Sequence, residues 1–287
     1  MPDPSSVLLI GAGGLVGRHL RRALVGVKLT ATVHRDDPDA GIPLDITDHA
    51  TVRRTIREAQ PDVILLAAAD AWVERCEREP EATRRVNVDA PRVIAAESRD
   101  AGALLVVFSS EYVFDGTAGR YREDDERRPI NEYGRQKVEL EELALGTGRG
   151  LVCRTSGVFG VDPGRRNFVY QLVDRLRADQ PFDVPSDQLI TPTYAPALAD
   201  AVVRLVRLGQ QGIVHVAGPR ILGRMQFAEL VAEAYGLRAE LLRPRVTAWE
   251  KPAGDGRIAV WVEVRLPLLG LLIAYEGTVT RAGAGGD

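Results

Sequence analysis

The sequence predicts an α/β fold, a doubly wound parallel sheet followed by a smaller C-terminal lobe. Three observations carry the prediction. Short apolar runs alternate with longer amphipathic segments from Val7 to Arg154. Those runs lack the every-second-residue polar pattern of a sheet with one wet face, so helices must cover both faces. The first run ends in a glycine cluster, Gly11-Ala12-Gly13-Gly14-Leu15-Val16-Gly17, that opens a helix. A strand, a glycine turn and a helix in that order begin a Rossmann domain.

The elements follow in chain order. Strands are expected at 7–10, 28–33, 62–67, 103–108 and 151–154, where β-branched and aliphatic residues concentrate. Helices are expected at 15–25, 49–60, 81–101 and 133–145. Right-handed crossovers then wind the sheet in both directions. Residues 1–157 form the expected Rossmann domain. From 158 to 280 the rhythm changes: a helix at 167–178, a loop holding Pro181, Pro185 and Pro192, a helix at 195–208, a strand at 213–217 and a helix at 225–235. This reads as a smaller substrate-binding lobe of discontinuous segments, with part of the sheet returning near 190–217. Ligands of open parallel sheets sit beyond the carboxyl ends of the strands, which such a lobe would cap. Residues 281–287 are Gly/Ala-rich and are expected to be disordered.

Composition narrows the function. The chain has 287 residues, 45% hydrophobic and 27% charged, with a net charge of −3. No basic stripe argues for nucleic acid. Cys76 and Cys153 are too few for a disulfide framework. The apolar stretch at 266–274 is short for a membrane span and is broken by Pro267 and Gly270. A soluble, cytoplasmic protein without membrane or nucleic-acid partners is expected. His19, His34, His49 and His215 show no metal-ligand spacing. The run from Glu123 to Arg128 reads as solvated surface.

The glycine spacing is G-x-x-G-x-x-G with an extra Gly13. Gly11 permits the tight turn, Gly14 lets backbone N–H groups approach a pyrophosphate, and Gly17 allows close helix–strand packing. An acidic residue about 20 residues on would take the ribose hydroxyls of NAD, and an arginine the 2′-phosphate of NADP. The second strand ends at Val33-His34-Arg35-Asp36. Arg35 favours NADP(H) over NAD(H), and Asp36 keeps NAD as the alternative. Further on, Tyr133-Gly134-Arg135-Gln136-Lys137 places a phenol and an ammonium one helical turn apart. An adjacent ammonium favours the phenolate and should lower the phenol's pKa, suiting it to protonate a developing alkoxide. Ser110 comes off the fourth strand at the carboxyl edge, where its hydroxyl could orient a carbonyl oxygen.

Together these stretches resemble the extended short-chain dehydrogenase/reductases, and within them most closely the dTDP-4-dehydrorhamnose reductases. Also matching are Leu44-Asp45-Ile46-Thr47-Asp48, Ala67-Ala68-Ala69, Val86-Asn87, the segment from Ser109 to Gly116, Asn131 ahead of Tyr133, Arg154-Thr155-Ser156, Asp187-Gln188 and Pro192-Thr193. The resemblance implies reduction of the 4-keto group of a dTDP-linked 4-keto-6-deoxy sugar. Tyr133 would be the proton donor, Lys137 would tune it and hold the nicotinamide ribose, and Ser110 would complete the triad. Gly11, Gly14, Leu15, Val16, Gly17, His34, Arg35, Asp45, Ile46, Ala67, Ala68, Ala69 and Asn87 would hold the dinucleotide. Ser110, Glu111, Tyr112, Val113, Gly157, Asn167 and Gln188 would meet the substrate. Mg is reported for some members of the family, and no metal site is expected from this sequence. The helix at 133–145, with Glu139, Glu141 and Glu142, is expected by analogy to form a homodimer face.

This chain departs from the family where Gly157 stands in place of Trp, and Gln136 and Leu140 in place of Thr and Gly. Two other functions resemble this pattern: an NAD-dependent nucleotide-sugar epimerase, and a non-catalytic regulatory subunit such as that of methionine adenosyltransferase. A dehydratase would carry adjacent Asp and Glu after the triad residue, where this chain has Glu111 and Tyr112.

Overall fold

The computed structural model describes residues 4–34 and 41–245 in full, and the backbone of 249–252, 257–266 and 270–280. It divides into two compact units, Met1–Pro163 with Thr193–Gly218, and Gly164–Pro192 with Pro219–Asp287. The first unit opens with β1 (Ser6–Ile10), α1 (Leu15–Ala23), β2 (Lys28–Val33), β3 (Ile42–Pro43), α2 (His49–Ala59) and β4 (Val63–Leu66). It continues with α3 (Val73–Arg78), α4 (Pro80–Arg84), α5 (Ala90–Ala101), β5 (Leu104–Ser110), α6 (Glu132–Leu145), β6 (Gly150–Thr155) and β7 (Val158–Phe159). The chain then enters the second unit through α7 (Phe168–Arg177), β8 (Phe182–Pro185) and β9 (Leu189–Ile190). It rejoins the first as β10 (Thr193–Tyr194), α8 (Ala195–Arg207) and β11 (Gly212–His215).

All seven strands of the main sheet are parallel, in the order β11-β6-β5-β4-β1-β2-β3. The chain builds outward from β1 to β3, then crosses back to place β4 on the other side of β1. Neighbouring crossovers therefore leave in opposite directions at the carboxyl ends of β1 and β4, which opens a crevice there. This is the Rossmann arrangement. The strands are apolar throughout because alternate residues enter two separate cores. Leu8, Ile10, Ile64, Leu66, Leu105 and Val107 pack under Val52, Ile56, Ile94 and Leu140. Val7, Leu9, Val63, Leu65, Leu104 and Val106 pack under Leu20, Leu198, Val202 and Val206.

The helix expected at 81–101 runs without a gap from Pro80 to Ala101, with one irregularity inside it. Between α4 and α5, Arg85–Asp89 forms one wide π turn. Pro91 has no N–H to offer the carbonyl of Asn87, so the helix widens there by one turn and then continues. The turn carries Asn87 into the interior, 2% exposed.

In the second unit β8 pairs in parallel with β13 (Leu242–Arg245), and β9 pairs antiparallel with β12 (Leu222–Gly223). Helix α9 (Arg224–Ala234) follows β12 directly. Phe168 meets Phe182 edge-on at 5.6 Å and stacks on Phe227 at 5.9 Å. A three-stranded antiparallel sheet, β14 (Trp249–Pro252), β15 (Arg257–Leu266) and β16 (Gly270–Thr280), completes it. The stretch expected to be too short for a membrane span falls partly in these strands, and residues 281–287 lie outside the described ones. Among the described residues no helix is long and apolar enough to cross a membrane.

Candidate active site

The glycine turn occupies the crevice at the end of β1. Gly11 has a left-handed φ of 92°, and a Cβ there would stand 2.6 Å from the backbone N of Ala68. A Cβ on Gly17 would stand 2.1 Å from the carbonyl oxygen of Gly11. These two glycines let α1, β1 and the β4 loop approach one another. Gly14 differs: a Cβ there would come no nearer than 3.5 Å to anything. Its bare backbone leaves room for a ligand beside the first turn of α1. That helix has no side-chain cap and no acidic residue in its first turn, so the N–H groups around Leu15 and Val16 face the crevice without a competing carboxylate. A pyrophosphate fits these residues.

The rest of the expected dinucleotide path is less uniform. Ala67 N donates to Ile10 O at 2.9 Å, which keeps the Ala67–Ala69 backbone beside the crevice. His34 ends β2 in the open, and Asp45 is exposed. The hydroxyl and N–H of Thr47 hold the Asp45 carboxyl below the usual range. Ile46 is 7% exposed and belongs to the core. Arg35 and Asp36 lie outside the described residues.

Tyr133 and Lys137 share one face of α6, against the end of β5. Asn131 accepts a hydrogen bond from Gly134 N at 2.8 Å and starts the helix. Gly134 is required, because a Cβ there would meet the carbonyl oxygen of Tyr112 at 2.1 Å. That close approach sets the Tyr112 ring edge-on to Tyr133, with centroids 5.7 Å apart. Lys137 donates from Nζ to Phe108 O at 2.9 Å and lies 5.4 Å from the centre of the Tyr133 ring. Burial pulls the Lys137 ammonium down to about 8. Burial, and then the Glu111 carboxylate, push the Tyr133 phenol upward. This corrects the expectation that Lys137 lowers it: both groups have lost water, and the ammonium is engaged by a backbone carbonyl. Tyr133 therefore stays protonated through neutral pH, as a proton donor must.

Ser110 ends β5, and its Oγ donates to Glu111 Oε2 at 2.5 Å while accepting from Tyr112 N at 3.4 Å. Ser156 Oγ donates to the other Glu111 oxygen at 3.1 Å. The hydroxyl proton of Ser110 is thus directed at Glu111 and must turn to meet a carbonyl oxygen. Val113 is buried behind them.

The chain is similar to known proteins over most of its length. The model of the RmlD substrate binding domain matches residues 5–257. The chain belongs to this family. It is 34% identical to the dTDP-4-keto-6-deoxy-D-glucose reductase of Streptomyces niveus over 94% of this chain and 98% of that protein. It is 35% identical to the spore coat polysaccharide biosynthesis protein SpsK of Bacillus subtilis, over 83% of this chain and 82% of that one. The crystal structure of the dTDP-4-dehydrorhamnose reductase of Bacillus anthracis in complex with NADP superposes with a TM-score of 0.77 at 26% identity, covering 85% of this chain and 84% of that one.

In this RmlD family member Asn87 joins Gln136, which the sequence did not mark as a site residue, in a buried polar hub. Asn87 Nδ2 donates to Asp70 O at 2.9 Å and to Gln136 Oε1 at 2.8 Å, and its Oδ1 accepts from Asp70 N at 2.8 Å. Gln136, fully buried, donates onward to Thr83 Oγ1 at 3.1 Å. The pair ties the β4 loop, α4 and α6 together. Nothing in a polar residue's identity marks it as interior, so a Gln on a helix reads as surface. Asn87, expected to touch the dinucleotide, is committed to this hub.

Glu141, one turn beyond Lys137, is expected with Glu139 and Glu142 on a dimer face, but the structure turns its side chain into the protomer's own interior. It is fully buried, taking Arg154 Nε and Nη2 at 2.8 Å each and Ser109 Oγ at 2.5 Å. A signal existed: Tyr133, Lys137 and Glu141 repeat at four-residue steps, and Arg154 is a lone charge in an apolar strand. The run from Glu123 to Arg128 is exposed as expected, apart from the half-buried Arg127, and two of its residues also make contacts. Glu123 Oε1 accepts from His215 N at 2.9 Å, and Arg127 reaches Glu141 at 3.4 Å.

Gly157 has a left-handed φ of 52°. Trp, which the family often has there, would be strained in that conformation. In the second unit Asn167 Oδ1 accepts from Tyr170 N at 3.3 Å and caps α7. Gln188 O accepts from Arg224 N at 2.8 Å. Among the described residues no group of three or more His, Cys, Asp or Glu could hold a metal.

Proposed function

We propose that this protein reduces the 4-keto group of a dTDP-linked 4-keto-6-deoxy sugar with NADPH. The observation that carries the reading is the buried Tyr133–Lys137 pair, one helical turn apart beside Ser110 at the carboxyl edge of a sheet whose glycine turn accommodates a pyrophosphate. The family and the names of its members support the substrate class.

The bound dinucleotide would supply hydride to C4 of the sugar. Hydride arrival sends the carbonyl π pair onto oxygen, and Tyr133 gives that oxygen its proton, completing the alcohol. The phenolate left behind faces the Lys137 ammonium, charged below about pH 8. Ser110 rotates from Glu111 to orient the oxygen, and Glu111 with Tyr112 borders the sugar. The backbone around Gly14, Leu15 and Val16 holds the pyrophosphate, and Lys137 holds the nicotinamide ribose. Arg35 takes the 2′-phosphate and makes NADPH the preferred donor. Asn167 and Gln188 would also meet the substrate.

The test is NADPH oxidation by the purified protein over a panel of dTDP-4-keto-6-deoxyhexoses. Turnover with at least one sugar is expected. A folded protein that binds NADPH and turns over none of them sinks the reading.

A further inference from the structure

Gln136 stands inside the catalytic helix, where the family has threonine, and takes no part in the bond changes proposed above. It is fully buried, three residues after Tyr133 and next to Lys137. Its Oε1 accepts from Asn87 Nδ2 at 2.8 Å, and its Nε2 reaches Thr83 Oγ1 at 3.1 Å, Glu132 Oε1 at 3.2 Å and Pro80 O at 3.3 Å. Asn87 in turn pairs with Asp70 as a neighbouring strand would, accepting from Asp70 N at 2.8 Å and donating to Asp70 O at 2.9 Å. The Asp70 carboxylate is turned to Arg75 Nη1 at 2.5 Å. Both backbone groups of Asp70 are therefore held by one side chain, which is itself held from α6. The same loop is pinned at its start, where Ala68 N lies too close to Gly11 to admit a Cβ. Two amides in series thus join the loop beyond β4 to the turn of α6 that carries Tyr133 and Lys137. A buried amide chain whose donors and acceptors are all matched has one preferred geometry, because any other leaves a polar group unmade. Threonine carries a single hydroxyl two bonds nearer the backbone and could not span the same gap.

We propose that Gln136 is a positioning residue, which sets through Asn87 the distance between the loop at 67–70, along which the nicotinamide half of the dinucleotide runs, and the Tyr133 hydroxyl. This rests on the reductase reading above and adds to it a residue with no assigned role. Hydride and proton must reach the two atoms of one carbonyl, so their donors need a set separation. Reacting atoms must come within about 3–3.5 Å, and a misplacement of about 1 Å can cost roughly 10²-fold in rate. Tyr133 takes its place from α6, the nicotinamide takes its place from the loop, and the amide chain ties one to the other.

The test compares wild type with Gln136→Met, which keeps the length and removes the hydrogen bonds, and with Gln136→Thr, the family's residue, which decides the matter if Gln136→Met fails to fold. The full chain is titrated with NADPH, and the emission of the bound nicotinamide is read at saturation. Wild type should bind NADPH and raise its emission by holding the ring still. Both variants should keep NADPH affinity within about twofold, while the emission per bound molecule falls back toward that of free NADPH. With a dTDP-4-keto-6-deoxyhexose added, the single-turnover rate constant of hydride transfer should drop about tenfold or more in the variants. A merely structural role would lower the amount of active protein and hence the amplitude, but not the rate constant or the emission per bound molecule. Emission equal to wild type in the folded variants overturns the proposal. The titration needs no sugar. Emission that depends on Gln136 in a protein reducing no keto sugar would therefore sink the proposed reaction alone, and turnover with emission indifferent to Gln136 would sink this inference alone.

Discussion

Tyr133 and Lys137 lose water together, and burial acts on them in opposite senses. The phenol is pushed up and stays a donor, while the ammonium is brought from 10.5 to about 8. The sign of the stability cost follows. The unfolded chain binds the lysine proton more tightly than the folded one, so stability is penalised fully below pH 8 and the penalty fades toward pH 10.5. That gap corresponds to about 3 kcal/mol, against about 1 kcal/mol for the hydrogen bond to Phe108 O. Lys137→Met should therefore raise stability by about 2 kcal/mol at pH 7, with less gain near pH 10, while turnover disappears. Denaturant unfolding at the two pH values checks both the size and the trend. A variant less stable than wild type at pH 7 would mean that the lysine is not a buried cost. Of these residues, the spacing of Tyr133 and Lys137 was plain in the sequence. The direction of the phenol's shift was not, because it depends on the burial of both groups and on Lys137 being held by Phe108 O.

At the scale of elements, the glycine turn separates two jobs that one motif conceals. Gly17 and Gly11 are needed by the protein itself, since a Cβ at either meets backbone within 2.1 or 2.6 Å. Gly14 is needed by a ligand. Gly17→Ala should cost about 2 kcal/mol or more of stability, whereas Gly14→Ala should cost under about 1 kcal/mol yet weaken NADPH binding about tenfold. Thermal melts alongside NADPH fluorescence titration distinguish them, and normal NADPH affinity in Gly14→Ala would contradict the assignment. Helix α6 carries the second element-scale expectation. Glu141→Gln removes the charge opposite Arg154 deep in the fold, and an abandoned buried charge costs about 3–5 kcal/mol. Its melting temperature should fall by many degrees, while replacing both partners with Leu and Met should recover much of the loss. The helices were legible from apolar spacing. The π turn was not, because Pro91 breaks the backbone ladder without breaking the side-chain pattern.

For the whole molecule, the sheet was the most readable feature. Strands buried on both faces show as unbroken apolar runs, and the order of β1, β2 and β4 follows from right-handed crossovers around a glycine turn. The return of Thr193–Gly218 to the sheet was foreshadowed only by the apolar run at 213–217. A strand of that length carries no local mark of the sheet it joins; its place beside β6 is settled by α8 packing against α1. The chemistry was legible where a pattern has one physical use, as in the glycine turn, and illegible where polar residues are buried, as at Gln136 and Glu141. Both kinds converge on one claim, that this sheet edge moves hydride to a sugar C4 with Tyr133 supplying the proton. The most direct measurement follows the label: 4-deuterated NADPH is incubated with wild type or Tyr133→Phe and a dTDP-4-keto-6-deoxyhexose, and the product is read by NMR. The account predicts deuterium at C4 of the sugar with wild type, and a rate lower by about 10²–10⁴ in Tyr133→Phe. Deuterium at any other carbon, or an undiminished rate in Tyr133→Phe, would contradict it.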